Sequence, residues 1–266
     1  MYLILNTSLQ HTLCLYLHPS YIAYSIYDHD DYAYSTPQAT LFKEEGDVHF
    51  FTNVKNWLLQ HRDVVDAHYQ KVHIGIHSTI YSLFDSNIEE RDKLFAVLMK
   101  FQEDQYSVQE DHVKDDFIIT YALPSELLEL LNSYFPQATI HYGDSGIMKA
   151  MTHKISDNKC VLVNVQPHTI SIAYKNHDSI ILYNQYTYTS KEDMLYYLIW
   201  TYNEMQLDTH SFPLLVYGWI EENAPLFGIL YNYIRNVQIG NIPFLIQAGD
   251  SEYPVHYFLP LLGLRL

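Results

Sequence analysis

Residues 160–190 read CVLVNVQPHTISIAYKNHDSIILYNQYTYTS, three apolar runs parted by two polar turns. Val161, Val163 and Val165 alternate with Leu162 and Asn164, and Ile170 and Ile172 alternate around Ser171. Ile180-Ile181-Leu182 continues into a Tyr/Thr segment. Alternation with period two marks β-strands, and the short polar breaks mark hairpin turns. A helical pattern follows from about Lys191 to Gln206, with Met194, Leu195, Leu198, Ile199, Tyr202 and Met205 forming its stripe. The unit is an antiparallel meander followed by a helix.

The same order occurs earlier in the chain. Leu13–Leu17, Tyr21–Tyr27 and Tyr32-Ala33-Tyr34 onward read as three strands, with a polar break at His18-Pro19-Ser20 and an acidic one at 28–31. After a loop around Pro37 and a turn at 44–47, a short helix over 52–60 is expected, with Thr52 or Asn53 as its cap. Cys14 pairs with Cys160, Pro19 with Pro167, Ile22 with Ile170, Trp57-Leu58-Leu59 with Tyr197-Leu198-Ile199, and Ile74-Gly75-Ile76 with Val216-Tyr217-Gly218. Between the copies, Ile88–Phe101 predicts an amphipathic helix with Leu94, Val97, Leu98 and Phe101 on one face. Residues 102–116 read as a polar surface connection, 117–122 as a strand, and Leu123-Pro124-Ser125-Glu126 as the start of a helix running to about Tyr134, with Pro124 at or next to its first turn. Thr139–Tyr142 is a short strand, and Asp144 or Ser145 caps a helix through Met151. Beyond the second copy, 224–235 reads as a helix, 237–239 and 244–246 as short strands, and the apolar tail 257–266 must dock on the body. The expected organisation is α/β, with an N-terminal lobe over 1–150 and a C-terminal lobe over 151–266.

Composition narrows the functional classes. With 266 residues, 48% hydrophobic and 17% charged, the chain has enough apolar material for a sizeable core. Its net charge of −16 opposes nucleic-acid phosphates and anionic lipid. The 25 tyrosines lack the basic groove that base stacking needs beside it. No run reaches the length of a membrane span, and polar Asn6, Thr7, Ser8, Gln10 and His11 break the N-terminal stretch. Cys14 and Cys160 fit buried free thiols, and a cytoplasmic protein without membrane insertion is expected.

A duplicated strand–strand–strand–helix–strand–helix–strand order resembles the actin-like ATPase superfamily, which includes actin, sugar kinases and DnaK-type chaperones. The passage Tyr121-Ala122-Leu123-Pro124-Ser125-Glu126-Leu127 is similar to its pilus-assembly and cell-division branch. More closely, the chain resembles an uncharacterised bacterial family assigned to that superfamily. The resemblance implies a duplicated ribonuclease-H-like fold of two lobes, each a mixed sheet with flanking helices. In ATP-binding members, the first turn of each meander carries an Asp-x-Gly-type sequence that cradles phosphate and positions magnesium. Here those turns are Leu17-His18-Pro19-Ser20 and Asn164-Val165-Gln166-Pro167-His168, each with a proline and neither with a glycine or carboxylate. The adenosine motif keeps one glycine, Gly218, followed by Trp219. The resemblance therefore places Asn164, Gln166, His168, Gly218 and Trp219 at degenerate nucleotide-cleft positions. It implies no catalytic residue and no cofactor, and makes ATP–Mg²⁺ the ligand to test.

Other motifs have plainer readings. Gly143-Asp144-Ser145-Gly146 matches the sequence around a trypsin-like serine, but the rest of that machinery is missing, so a helix cap is expected. His73 and His77 lie ~13 Å apart on a strand, too far to share a metal. Asp28-His29-Asp30-Asp31 reads as a solvated turn. The Tyr-rich third strands admit two readings, rim-lining strand residues or a partner surface. The function expected is a non-catalytic interaction or scaffold module with a protein partner; the alternative is an ATPase or kinase with unconventional phosphate contacts.

Overall fold

A computed structural model describes residues 10–100, 105–114 and 117–266. Its contacts divide the chain into two compact units. Unit 1 is Met1–Lys149, Phe244–Tyr253 and Pro260–Leu266; unit 2 is Ala150–Pro243 and Pro254–Leu259.

Unit 1 is built on a mixed sheet. Strands β1 (His11–His18) and β2 (Tyr21–Asp28) form a hairpin, and β2 also pairs with β3 (Ala33–Tyr34) and β4 (Gln38–Leu41). Helices α1 (Asp47–Gln60) and α2 (Arg62–Val65) lead to β5 (Lys71–Ile76), which lies parallel to β1; β9 (Thr139–Tyr142) lies parallel to β5. The order is β3-β2-β1-β5-β9. A second sheet, β6 (Tyr81–Asp85), β8 (Phe117–Pro124) and β7 (Tyr106–Lys114), carries α3 (Arg91–Met99) and α4 (Ser125–Tyr134). Helix α5 (Ser145–His153) follows β9.

Unit 2 repeats the first sheet. Strands β10 (Lys159–Gln166), β11 (Thr169–Asn176) and β12 (Ser179–Thr187) make the meander. Helix α6 (Lys191–Glu204), β13 (Leu214–Gly218), α7 (Pro225–Tyr233) and β14 (Val237–Ile239) complete it, in the order β12-β11-β10-β13-β14. A 3-10 turn at Val255–Phe258 leads into α8 (Leu259–Leu262). Val161, Val163, Val165, Ile170 and Ile172 face Met194, Leu198, Tyr202, Leu230 and Ile234, which buries one face of the sheet under α6 and α7. Each such side chain contributes about 1.5–3 kcal/mol by leaving water.

The duplication holds at residue level. Both first hairpins join eight-residue strands through two residues, Pro19-Ser20 and Pro167-His168. Tyr16 thus matches Asn164, and His18 matches Gln166. Because Leu17 pairs with Ile76 and Val165 with Gly218, Ile76 matches Gly218. Helices α1 and α6 each span 14 residues and bury the same stripe: Phe50, Val54, Trp57 and Leu58 against Met194, Leu198, Thr201 and Tyr202.

Several expectations are corrected. Cys14 matches Leu162, not Cys160, and Trp57 matches Thr201, not Tyr197. Helix α1 begins at Asp47 after Gly46, whose φ of +98° suits glycine, and not at a Thr52 or Asn53 cap. Residues 106–114, read as a connection, form β7; its alternation is polar because it is an edge strand. Helix α3 buries Phe95 against Phe84 and Ala122 and leaves Leu94, Val97 and Leu98 exposed; Phe101 lies outside the described residues. Residues 244–246 form no strand and give only an isolated bridge between Ile246 and Tyr34. The tail docks as expected, with Leu261, Leu262 and Leu264 buried.

Candidate functional site

The five positions singled out in sequence converge at one end of the unit 2 sheet. Asn164 and Gln166 lie on β10 with His168 in the following turn, and Gly218 pairs with Val165 from the neighbouring strand. The Trp219 N–H donates to the Val165 carbonyl at 2.8 Å. The same bond occurs in unit 1, where the His77 N–H donates to Leu17 at 2.9 Å.

The chain's own atoms crowd the glycines at this end of the sheet. A Cβ on Gly218 would stand 2.0 Å from the Val165 carbonyl oxygen, and the residue has φ +85°. Its glycine character is thus required by close strand packing and a left-handed backbone. A Cβ on Gly240 would meet the Tyr217 ring at 2.0 Å, and the Tyr217 hydroxyl donates to Asn241 at 2.9 Å. Trp219 packs on Tyr257 with ring centroids 4.9 Å apart, and His256 Nε2 donates to the Ile220 carbonyl at 2.8 Å.

The turns themselves are tied down. In the second, Pro167 supplies no N–H and His168 has φ +65°, the pairing a type II turn asks for. Tyr188 holds this turn twice: its N–H donates to the His168 carbonyl at 3.0 Å and its hydroxyl to Gln166 at 2.9 Å. In the first, the Ser20 N–H donates to Nδ1 of His18 at 3.1 Å, so that nitrogen is unprotonated. Phe42 donates to the Ser20 carbonyl at 2.9 Å. Below this turn the His18 ring packs on Tyr21 at 5.0 Å and on His77 at 4.5 Å. Burial pushes the His77 imidazole down to about 4, so it is neutral near pH 7.

Asn164 is fully buried, yet neither its carbonyl oxygen nor its amide nitrogen has a hydrogen-bond partner. An unsatisfied buried amide costs about 1–3 kcal/mol. Tyr16, its match, is also buried; burial and then the Asp144 carboxylate hold its hydroxyl well above the usual range.

One cluster escaped the sequence reading. The Asp111 carboxylate on β7 accepts from His141 Nδ1 at 3.1 Å and from the Tyr142 N–H at 3.1 Å. His141 Nε2 meets His73 Nδ1 at 2.9 Å. Burial raises the Asp111 carboxyl, but His141, Lys149 and Ser145 outweigh it and hold it below the usual range. Burial, with His141 and Lys149 nearby, pushes His73 down to about 4. The cluster pins β7 to β9, and among the described residues no group of three His, Cys, Asp or Glu could hold a metal. Its members lie on separate elements, so no local motif announced it.

The Gly-Asp-Ser-Gly segment is structural. Ser145 is buried and its hydroxyl donates to the Tyr142 carbonyl at 2.7 Å. A Cβ on Gly146 would stand 1.9 Å from the Pro260 carbonyl oxygen, and one on Gly263 would stand 1.9 Å from the Gly146 oxygen. Helices α5 and α8 therefore cross backbone to backbone. Cys14 and Cys160 are buried and free, and burial pushes both thiols up to about 12. No helix among the described residues is long and apolar enough to cross a membrane.

Residues 3–237 match the model of a family described as "Protein of unknown function (DUF3822)". The chain belongs to the DUF3822 family. This member is similar to a Bacteroides thetaiotaomicron VPI-5482 protein with an actin-like ATPase fold and unknown function, at 20% identity over 93% of this chain and 94% of that one, with TM-score 0.72. It is similar to a chain of a PilM–PilN type IV pilus biogenesis complex at 11% identity, over 95% and 97%, with TM-score 0.62. It is also similar to the ethanolamine utilization protein EutJ of Carboxydothermus hydrogenoformans at 10% identity, over 96% and 88%, with TM-score 0.54. No curated protein matches. At these identities the likeness carries the fold alone, and the DUF3822 chain has the actin-like ATPase fold.

Proposed function

We propose that this chain is a cytoplasmic, non-catalytic member of the actin-like fold that acts by binding another protein. The observation that carries the reading is that the chain's own groups tie down both turns. His18 takes the Ser20 amide, Tyr188 grips the second turn, and the Val165 carbonyl lies where any Gly218 side chain would point. Phosphate gripping needs inward main-chain N–H groups, and a prolyl residue removes one from each turn. Asn164 supplies no charge for Mg²⁺. The similar chain from a PilM–PilN complex belongs to a protein–protein assembly, which supports a partner-binding role here. The test is ATP turnover by purified protein: none is expected, and turnover abolished by Asn164→Ala would overturn the reading.

A second reading has one observation in its favour. The unpartnered amide of Asn164 is what a residue waiting for a ligand would show, and it points to an ATPase or kinase with unusual phosphate contacts. That reading requires ATP–Mg²⁺ to protect the protein against heat in an Asn164-dependent way. No thermal shift with the nucleotide removes its support.

A further inference from the structure

The two units treat the helix-covered side of their first hairpin differently. Strand β2 matches β11 residue for residue, so Tyr24 matches Ile172 and Ile26 matches Tyr174. In unit 2 both positions are buried, and Phe212, just ahead of β13, packs edge-on to Tyr174 at 5.7 Å and to Tyr202 at 6.3 Å. In unit 1 Tyr24 and Ile26 keep partial exposure and form one wall of an open cleft of about 360 Å³. The facing wall is Asp63, Val64, Ala67 and Tyr69, from α2 and the segment that leads to β5. His11 and His68 complete the lining, and His11 Nε2 lies 3.3 Å from the Asp28 carboxylate. Small-molecule sites in proteins begin at about this volume.

The lining defines a chemistry. The Tyr69 hydroxyl donates to the Val64 carbonyl at 3.0 Å, which leaves its oxygen lone pairs to accept. The Tyr24 ring stands edge-on to Trp57 at 5.9 Å. Burial and then the Asp63 carboxylate hold the Tyr24 hydroxyl above its usual range; burial, then Tyr24 and Asp63, push that of Tyr69 up to about 12. Three oxygen-bearing groups thus lie near one another, and the charge that reaches both hydroxyls is negative. Arg62, next to Asp63, is taken by Asp66 at 3.0 Å, and among the described residues Asp63 pairs with no cation. We propose that this cleft binds a small organic cation, an alkylammonium or alkylguanidinium, with its N–H groups on Asp63, Tyr24 and Tyr69 and its stem on Ile26, Val64 and Ala67. Acceptor oxygens suit a head that carries N–H donors and give a quaternary ammonium nothing to bond. The net charge of −16 draws cations to the surface and repels anions. The same head group occurs on free amines and on the arginine or lysine side chains of a protein.

This inference goes beyond the partner-binding reading and does not rest on it. The probe is n-butylguanidinium, titrated at pH 8 into the intact protein and followed by amide shifts in nuclear magnetic resonance. The expected result is saturable millimolar binding with shifts centred on residues 63–69, and none with n-butanol or tetramethylammonium. Asp63→Asn, an exposed change that should leave the melting curve alone, should weaken binding about tenfold by removing the charged acceptor. Ala67→Arg tethers a guanidinium at the cleft and should abolish binding. Full retention in both variants, equal binding of tetramethylammonium, or no saturation at tens of millimolar probe would overturn the assignment. A blocked Gly-Arg-Gly peptide separates the two sources: binding equal to that of the free cation assigns the cleft to a protein side chain, and much weaker binding assigns it to a free amine. Either ranking supports the site. ATP turnover would remove the non-catalytic reading and leave this cleft untouched.

Discussion

The meanders of the two units share strand lengths, hairpin register and helix stripe, but they fill matching positions with different chemistry. Where unit 1 has Tyr16, His18, Ile76 and His77, unit 2 has Asn164, Gln166, Gly218 and Trp219. The first set is closed by an imidazole–tyrosine stack, the second by a glycine-permitted strand contact, a gripping tyrosine and Trp219 against Tyr257. The apolar face repeats because burial under a helix constrains it. The opposite face varies because it answers to local contacts, and that is where a ligand would have imposed sameness.

The largest expected effect separates Gly218 from its match. Gly218→Ala puts a Cβ 2.0 Å from a backbone oxygen at φ +85°, and should cost about 4 kcal/mol in chemical denaturation or leave no soluble protein. Ile76→Ala in unit 1 only empties space and should cost about 2–4 kcal/mol. Near-neutral Gly218→Ala would show that the strand contact is not needed.

Acid should act through His77 in unit 1 and not through Trp219, its match. Folded His77 ionises near 4, against 6.5 for the free side chain, so between these values the unfolded chain holds the extra proton. Stability from this group is present above pH 6.5 and lost as pH falls towards 4, by up to about 3 kcal/mol. His73 contributes in the same direction, and Asp111, held low, loses its contribution only below about pH 4. His77→Phe should flatten the pH 6.5–4 limb of the denaturation midpoint; an unchanged limb would remove His77 from the account.

A smaller and opposite effect is expected at Asn164. Asn164→Leu removes two unsatisfied buried atoms at similar volume and should stabilise by about 1–2 kcal/mol, read as a raised melting temperature. Destabilisation would mean that the amide has a partner in solution. The smallest effect is at Gly228 on α7, where an added Cβ meets nothing within 4 Å. Gly228→Ala should raise stability by about 0.5–1 kcal/mol.

The duplication was legible because period-two alternation and paired prolyl turns survive in both copies. The errors in aligning it follow from the same periodicity. Pairing Cys14 with Cys160 slips the strands by two residues, which keeps every side chain on its face. Pairing Trp57 with Tyr197 slips α1 against α6 by about one helical turn, which keeps the stripe. Faces can be read from sequence in this way; register needs the hairpins closed. The candidate positions on β10 and β13 came from the superfamily resemblance, and they lie together because two adjacent parallel strands end together. The contacts that Tyr188, Tyr257 and the Val165 carbonyl make with Gln166, Trp219 and Gly218 were not legible, because nothing local to Gly218 or Gln166 encodes a main-chain approach from another strand. The Asp111–His141–His73 cluster was hidden for a similar reason: β7 carries only a polar edge pattern, and its carboxylate finds its partners on a different sheet.

Isothermal titration of ATP–Mg²⁺ into the intact protein tests the central claim most directly. The expected trace is flat heat of dilution at tens of micromolar protein, unchanged in Asn164→Leu. Saturable micromolar binding that Asn164→Leu abolishes would contradict it.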